Sequence, residues 1–254
     1  MIEIRKFASP AEIAAEAAGL VAATLKETLE SHQLATFVLA GGRLPPVAYS
    51  VLAERFADAF DWRRVLFLIG DERCVPLDSP DSCWLGALPM FDAHPEIPAN
   101  NKLRPQSQLS AESAAEAYAK TLLTLPLNQS GMPIFNHLWF GMGEDGHTLS
   151  LFPDHQSMTL AKDADKLVIP VHDSPKPPPD RISFTLKALE GVESAVALIS
   201  GTGKAPIIAQ IANGDHSLPI VMASRTIDKA GGRVTWLVDD EALSRLKPGQ
   251  KLVI

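Results

Sequence analysis

The sequence predicts an α/β fold with a mostly parallel sheet that helices cover on both faces. Five short apolar runs recur along the 254 residues, and segments of helical character lie between them. Apolar runs without alternation are typical of strands buried on both faces, and the regular succession of strand and helix favours parallel pairing. No linker rich in Gly or Ser and no internal repeat divides the chain, so we expect a single domain over residues 1–254.

Most of the predicted strands end in a glycine-containing or acidic loop. The predicted strands cover residues 35–40, 65–69, 137–140, 195–199 and 234–238. Helices are predicted over residues 46–60 and 110–123, and residues 1–30, where charges are spaced among alanines, favour an amphipathic surface helix.

The charge pattern of residues 1–30 is unlike the apolar stretch of a signal peptide, and no uncharged apolar run has transmembrane length. We therefore expect a cytoplasmic protein that does not bind membranes.

Composition and charge narrow the possible functions. Hydrophobic residues make up 46% of the chain and charged residues 21%, as in ordinary globular domains, and the net charge is −7. This acidic balance argues against broad nucleic-acid binding, because phosphate backbones attract basic surfaces, but it allows a local positive pocket for a small anion. Cys74 and Cys83 are too few for a disulfide framework, and we expect both to be reduced thiols. No Cys-x-x-Cys or His-Glu-x-x-His pattern occurs, so no metal site is predicted.

The loops that follow four of the strands carry most of the polar chemistry. Their sequences are Gly41-Gly42-Arg43-Leu44-Pro45-Pro46, Gly70-Asp71-Glu72-Arg73-Cys74-Val75-Pro76, Gly141-Met142-Gly143-Glu144-Asp145-Gly146-His147-Thr148 and Gly201-Thr202-Gly203-Lys204. Ligands of parallel α/β sheets bind beyond the carboxyl ends of the strands, so these loops are expected to meet at one pocket. There Arg43, Arg73 and Lys204 supply positive charge, Asp145 and His147 are acid/base groups, and glycine N–H groups are available to an anion.

Each loop also has a plain structural interpretation. The Gly41-Gly42 pair suits a tight turn, the acidic pair after the second strand suits surface ion pairing, and Lys204 alone would be a solvated charge. Residues 141–146 spell Gly-x-Gly-x-x-Gly, but they lie mid-chain among acidic side chains that would repel a pyrophosphate, so no dinucleotide site is predicted. His147 differs from the other six histidines, because it follows Asp145 by two residues on a glycine-flanked turn where the carboxylate can orient the imidazole.

The run Ser174-Pro175-Lys176-Pro177-Pro178-Pro179-Asp180-Arg181 is predicted to be stiff and extended. Successive prolines fix a polyproline II path and cannot join a central strand. Two interpretations stay open at this point. The run is either a rigid connection or a wall of the pocket that presents Arg181 to the ligand.

Several of these motifs occur together in one order and at similar spacing in a known family. They are the Gly-Asp-Glu-Arg-Cys-Val-Pro loop with the following Asp78-Ser79-Pro80-Asp81-Ser82, the run from Gly141 to Pro153, the Pro-Lys-Pro-Pro-Pro-Asp-Arg run and the Ser-Gly-Thr-Gly-Lys-Ala run. Over about residues 37–205 the chain resembles the 6-phosphogluconolactonases. The resemblance implies a Rossmann-like, three-layer fold shared with glucosamine-6-phosphate deaminases and ribose-5-phosphate isomerases. It also implies a lactonase of the oxidative pentose phosphate pathway that needs neither a metal nor another cofactor.

Two stretches depart from the family pattern. Gly42-Arg43-Leu44-Pro45 stands where Gly-Ser-Thr-Pro is usual, so two hydroxyl groups that would contact phosphate are missing, and Arg43 offers a charged fork in their place. Cys83-Trp84-Leu85 stands where Asn-Tyr-Arg is usual. Both changes bear on substrate affinity and on the preferred sugar.

The resemblance and the chemistry of the loops together predict hydrolysis of 6-phospho-D-glucono-1,5-lactone. His147 is predicted to be the general base that activates water, and Asp145 to orient it. No Gly-x-Ser-x-Gly elbow occurs, so a serine acyl-enzyme is not expected. The predicted substrate-binding residues are Gly41, Gly42, Arg43, Asp71, Arg73, Arg181 and Lys204. We expect either a monomer or a homodimer.

Two alternative functions come from other classes. A glucosamine-6-phosphate deaminase/isomerase shares the Asp-Gly-His turn, but it typically has Leu-Asp-Glu-Tyr where this chain has Ile69-Gly70-Asp71-Glu72-Arg73. A non-catalytic sugar-phosphate sensor would keep the pocket and usually carries a DNA-binding segment, for which the N-terminal helix leaves no room. The presence of both Asp145 and His147 also favours an enzyme over a sensor.

Overall fold

A computed structural model describes residues 2–163 and 165–254 and shows the α/β fold that the sequence predicts. Its strands are β1 (Ile2–Phe7), β2 (Ala35–Leu39), β3 (Val65–Ile69), β4 (Asp71–Arg73), β5 (His137–Gly141), β6 (Val168–Val171), β7 (Arg181–Phe184), β8 (Ser194–Ile199) and β9 (Arg233–Asp239). Its helices are α1 (Pro10–Ser31), α2 (Leu44–Arg55), α3 (Leu88–Ala93), α4 (Ala111–Leu122), α5 (Gln156–Asp163), α6 (Leu186–Leu189), α7 (Ala205–Ala212), α8 (Pro219–Lys229) and α9 (Asp240–Leu243). The central sheet has six strands in the order β1-β9-β8-β5-β2-β3, and every neighbouring pair is parallel.

The five strands predicted from apolar runs are confirmed as β2, β3, β5, β8 and β9, with ends that differ by no more than one residue. The two predicted helices correspond to α2, which ends earlier than expected at Arg55, and α4. The prediction for residues 1–30 is wrong at its start, because Ile2–Phe7 form β1. This strand lies at the edge of the sheet, where charged residues alternate with apolar ones and no continuous apolar run marks it.

The sheet separates two apolar cores, and successive strand residues contribute to them alternately. Along β2, Val38 packs into one core, whereas Phe37 and Leu39 pack into the other. Helices α1 and α2 cover the Phe37 side, and α4, α6, α7 and α8 cover the Val38 side. Burial on both faces is the reason why these strands are continuous apolar runs in the sequence.

A second, smaller sheet of three antiparallel strands, β4-β7-β6, was not predicted. β4 follows β3 after a single glycine and consists of three charged residues, so no hydrophobic pattern marks it. It pairs with β7 so that Arg73 lies opposite Arg181. This pairing brings the proline-rich run, which leads into β7, to the carboxyl edge of the central sheet.

The order of the strands creates a crevice between β2 and β5. From β2 the chain continues to β3 on one side, and it later returns to β5 on the other side of β2 and runs on through β8 to β9. Connections that leave neighbouring parallel strands in opposite directions open a ligand crevice at the carboxyl ends of those strands. The loops over residues 40–43 and 142–148 therefore flank the crevice.

Two buried tyrosines fix the ends of the strands from which the first site loops depart. The Tyr49 hydroxyl accepts from the Ala40 N–H at 2.8 Å and donates to the carbonyl of the same residue at 2.9 Å. The Tyr118 hydroxyl makes the corresponding bonds with Ile69, at 2.9 and 3.0 Å. Each hydroxyl thus satisfies the backbone N–H and C=O of one residue at the carboxyl end of a strand. The chain leaves the sheet at this residue, so these two groups have no partner in a neighbouring strand.

We expect His137, at the start of β5, to make the stability of the fold depend on pH. It is fully buried, its Nδ1 lies 3.2 Å from Thr24 Oγ1, and burial lowers its pKa from 6.5 to about 3. Well above pH 6.5 the imidazole is neutral in both the folded and the unfolded chain. As the pH falls, the unfolded chain takes up a proton at a higher pH than the folded chain does. We therefore expect about 2 kcal/mol of the unfolding free energy to be lost between pH 7 and pH 5.

Urea unfolding at the two pH values measures this loss. His137→Gln should remove most of it, even though the variant is less stable at pH 7, and His32→Gln serves as the matched change of an exposed histidine. A His137→Gln variant that loses as much stability on acidification as the unchanged chain would show that another group is responsible.

Candidate active site

The central sheet brings the four predicted loops together at its carboxyl edge. Residues 40–43 follow β2, Asp71 and Arg73 follow β3, Asp145 and His147 follow β5, and Lys204 follows β8. Because all these strands are parallel, their ends point to the same side. Arg181 arrives from the small sheet, as the first residue of β7.

Asp145 and His147 form a hydrogen-bonded pair on a tight turn. The Asp145 carboxylate accepts from His147 Nδ1 at 2.5 Å and from the His147 N–H at 3.2 Å, and the Gly143 N–H donates to the His147 carbonyl at 2.8 Å. Gly146 has φ +82°, and a Cβ at Gly143 would lie 2.0 Å from the imidazole, so the turn needs glycine at both places. Because Nδ1 is engaged, Nε2 is the nitrogen that can act on a water molecule.

The charge state of Asp145 is set by its neighbours. Partial burial raises the pKa of this carboxyl, but the hydrogen bonds and positive charge of His147, together with the charge of Lys176, lower it well below its usual range. The Lys176 ammonium lies 3.4 Å from Asp145 Oδ2. Asp145 is therefore a carboxylate throughout the pH range in which enzymes usually work, as an orienting acceptor must be.

Lys204 is the centre of a cationic cluster beside this pair. It ends a short 3₁₀ turn (Thr202–Lys204) and stands at the N-terminus of α7. Burial lowers the pKa of Lys204; Glu144 and Asp145 oppose this change, whereas the like charges of Lys176 and Arg43 add to it. Lys204 therefore stands at a helix N-terminus, a position that favours a bound anion, with both cations and carboxylates nearby.

Arg73 and Asp71 lie on the other side of the crevice. Asp71 Oδ2 accepts from Ser150 Oγ at 2.7 Å, and Arg73 Nη1 donates to the Asp81 carbonyl at 2.6 Å. Together with Gly41 and Gly42, Arg73 lines a cavity of about 440 Å³ that Cys83 also borders. The structure thus brings the predicted glycine and arginine loops to one cavity.

Glu72 is a site residue that the sequence analysis did not find. Its interpretation as a surface ion pair is wrong, because the side chain is fully buried. Its carboxylate accepts from the N–H groups of Arg73, Cys83 and Trp84 at 2.7 to 3.0 Å, and from Ser82 Oγ at 2.8 Å. Glu72 therefore holds the loop that carries Cys83 against the cavity. Its position next to Asp71 was visible in the sequence, but three of its four partners lie ten to twelve residues away.

Arg181 is nearly as buried as Glu72, at 3% exposure. Its guanidinium donates to the carbonyls of Lys176 at 2.8 Å, Pro177 at 3.1 Å and Pro178 at 3.0 Å, and Nη1 lies 3.5 Å from Ser150 Oγ. Of the four cations that were predicted to bind the substrate, Arg181 thus has most of its donors already engaged within the protein. Its substrate contact stays a prediction.

A larger cavity, of about 750 Å³, lies beside Asp145 between α5 and the segment that precedes α8. Its lining includes Asp154, His155, Lys162 and Asp215, but none of the cations predicted to bind the substrate. The smaller cavity, by contrast, contains Gly41, Gly42 and Arg73. Of the residues predicted to form the site, only Asp145 lines the larger cavity.

Comparison with known proteins identifies the family. A family model described as glucosamine-6-phosphate isomerases/6-phosphogluconolactonase matches residues 8–236. The chain belongs to this family. A 6-phosphogluconolactonase of Bos taurus is 34% identical over 253 residues, which cover 96% of this chain and 93% of the relative.

Solved structures of the family share the fold. The 6-phosphogluconolactonase of Thermotoga maritima superposes with a TM-score of 0.78 at 27% identity, over 94% of this chain and 100% of the other. That of Trypanosoma brucei gives 0.81 at 26% identity, over 97% and 99%. The expected resemblance to this family and its α/β fold are both confirmed.

Two further findings concern the described residues, 2–163 and 165–254. No helix among them is long and apolar enough to cross a membrane. Cys74 and Cys83 are free thiols, as predicted, and burial raises the pKa of Cys74 to about 12.

Lys176 is the second site residue that the sequence analysis missed. It lies in the proline-rich run that was singled out as a possible wall of the pocket, but Arg181 was chosen as the residue that faces the ligand. The structure places Lys176 at the Asp145–His147 pair and Arg181 behind it. The sequence showed that Lys176 and Arg181 both lie in the proline-rich run, but their spacing does not indicate which of the two faces the crevice.

Proposed function

We propose that this chain hydrolyses 6-phospho-D-glucono-1,5-lactone to 6-phospho-D-gluconate, as a step of the oxidative pentose phosphate pathway. The observation that carries the proposal is the hydrogen-bonded Asp145–His147 pair, with Lys204 nearby at the N-terminus of α7. The relatives' names support it, because the curated proteins at 34% identity over most of the chain are 6-phosphogluconolactonases. The cytoplasm is the expected location.

In the proposed reaction, His147 Nε2 takes a proton from a water molecule as the water oxygen attacks the lactone carbonyl carbon. The carbonyl electrons move to oxygen, and the tetrahedral oxyanion forms. When this intermediate collapses, the bond from the carbonyl carbon to the ring oxygen breaks, and the imidazolium returns its proton to that oxygen. A general base in this position contributes about 10²–10⁴-fold to the rate. Asp145 holds the ring in the tautomer that leaves Nε2 basic.

The phosphate is proposed to lie at Lys204 and Arg43, with the glycine N–H groups of residues 41 and 42 nearby. Arg73 faces the adjoining cavity and serves either the phosphate or the oxyanion, and Asp71 is placed to accept from a sugar hydroxyl. Arg181 is retained as a proposed contact, but most of its donors bind the proline-rich run. A charged hydrogen bond contributes more than a neutral one, so the lysine and the arginines are expected to dominate affinity.

A glucosamine-6-phosphate deaminase/isomerase is the second candidate, since the family description includes such isomerases. The same Asp-Gly-His turn would serve there, but the tyrosine expected after the acidic pair is Arg73 here. The curated relatives reported above carry the lactonase name, which favours hydrolysis.

The direct test is an assay on freshly generated 6-phosphogluconolactone, corrected for spontaneous hydrolysis. We expect turnover well above the blank, and no ammonia release from glucosamine 6-phosphate. A rate equal to the blank, or deamination of the amino sugar, would refute the proposed function.

A further inference from the structure

The segment over residues 174–180, here called the strap, is fixed to the protein by Arg181. The buried guanidinium donates to three consecutive carbonyls of the strap, at Lys176, Pro177 and Pro178. Ser174 Oγ adds a bond of 2.8 Å to the Lys176 carbonyl. The Lys176 carbonyl therefore accepts two hydrogen bonds, which restrict the backbone from which its side chain extends.

Arg181 also supports the catalytic pair from below. Its guanidinium carbon lies 5.4 Å from the centre of the Phe152 ring, and that ring lies 4.5 Å from the imidazole of His147. One buried cation thus connects the strap to the platform on which His147 rests. The strap and the Asp145–His147 pair are thus linked through contacts of Arg181 and Phe152.

The side chain of Lys176 reaches from the strap to Asp145. Its ammonium lies 3.4 Å from Oδ2, while Oδ1 of the same carboxylate accepts from His147 Nδ1 at 2.5 Å. The two oxygens therefore have two different partners. A cation beside Oδ2 favours the orientation of the carboxylate in which Oδ1 is directed at the imidazole.

We propose that Lys176 is a positioning residue that acts on the reaction through Asp145, by holding the carboxylate in the orientation that keeps His147 in place. The proposal rests on the proposed function. Lys176 is thus proposed to orient Asp145, whereas Lys204 and Arg43 are proposed to bind the phosphate. Residues in one hydrogen-bonded network are energetically coupled, whereas a separate substrate contact would act independently of Asp145.

The test is a double-mutant cycle on kcat and KM, with Lys176→Gln, Asp145→Asn and the double variant. Lys176→Gln should lower kcat about threefold to tenfold, with KM for the phosphorylated lactone changed less than about twofold. Asp145→Asn, which replaces a charged acceptor by a neutral one, should lower kcat about tenfold. In the Asp145→Asn background Lys176→Gln should have no further effect, and Lys176→Arg alone should restore most of the activity.

Lys120→Gln is the matched control, because Lys120 forms an exposed pair with Glu116 at 2.7 Å and contacts neither Asp145 nor His147. It should leave kcat and KM unchanged. The unphosphorylated gluconolactone distinguishes the roles, since a positioning residue slows both lactones alike. A KM that rises tenfold for the phosphorylated lactone alone, or a Lys176→Gln effect that persists in full without Asp145, would overturn the proposal.

An NMR measurement that does not require turnover makes the test of Lys176 independent of the proposed function. The Nδ1 proton of His147, bonded to a carboxylate, should give a downfield NMR resonance that is assigned by its loss in His147→Ala. Lys176→Gln should shift or broaden this resonance, and Lys176→Arg should preserve it. If the chain hydrolyses neither lactone, the proposed function fails, but an altered resonance still supports the positioning role. A resonance that Lys176→Gln leaves unchanged would refute that role in either case.

Discussion

His147→Ala should lower kcat for 6-phosphogluconolactone by about two to four orders of magnitude, which is the range that a positioned general base contributes. The variant keeps the glycine turn and Asp145 but has no nitrogen to accept the proton of water. KM should change much less, because the phosphate contacts are made by other residues. Steady-state kinetics with correction for the spontaneous reaction measure both constants.

A nearby histidine provides the control for this result. His155 lies in the segment that follows Phe152, bonds to Ser157 at 3.0 Å and lines the larger cavity. His155→Ala should keep kcat within about threefold, since it has no part in the proposed reaction. If instead His155→Ala is the damaging change and His147→Ala keeps near-normal turnover, the reaction takes place in the larger cavity and the assignment of the base is wrong. Urea unfolding of both variants checks that neither change acts through stability.

The central sheet could be predicted because each of its buried strands is marked by a short, local pattern in the sequence. Each buried strand is an apolar run between turn residues, and parallel strands place their following loops on one side, so the convergence of His147, Lys204 and Arg43 followed from chain order alone. The Asp145–His147 pair was predictable for the same reason, since its geometry depends on two residues of separation and two glycines.

The small sheet and its consequences were not predictable in this way. β4 pairs with β7 across more than a hundred residues, and its three charged residues carry no apolar pattern. Glu72 and Arg181 accordingly looked like surface or ligand-facing charges, whereas both are buried. Glu72 binds the N–H groups of Cys83 and Trp84, and Arg181 binds carbonyls three to five residues before it. Buried charges of this kind depend on partners that only the folded chain supplies.

The phosphate contact is the second place where a large effect is expected. Lys204 lies at the N-terminus of α7, where burial lowers the pKa of its ammonium; Glu144 and Asp145 oppose this change, and Lys176 and Arg43 add to it. Burial of an ammonium disfavours its charged form and does not by itself stabilise the free protein. We therefore expect Lys204→Ala to leave the midpoint of thermal unfolding unchanged or slightly raised, as is common for residues kept for binding.

Its effect on the substrate should be large and selective. A hydrogen bond to a charged group contributes roughly 1.5–3 kcal/mol, so the loss of the Lys204 contact should raise KM for the phosphorylated lactone about tenfold to a hundredfold, with a smaller change in kcat. Unphosphorylated gluconolactone has no phosphate to lose, and its slow hydrolysis should be almost unaffected. Both lactones are measured on both proteins at one fixed ionic strength, because salt screens the charges involved. Lys204→Arg, which keeps the charge, should recover part of the affinity. Equal losses for the two lactones, or a marked fall in thermal stability, would assign Lys204 to the reaction or to the fold instead of the phosphate.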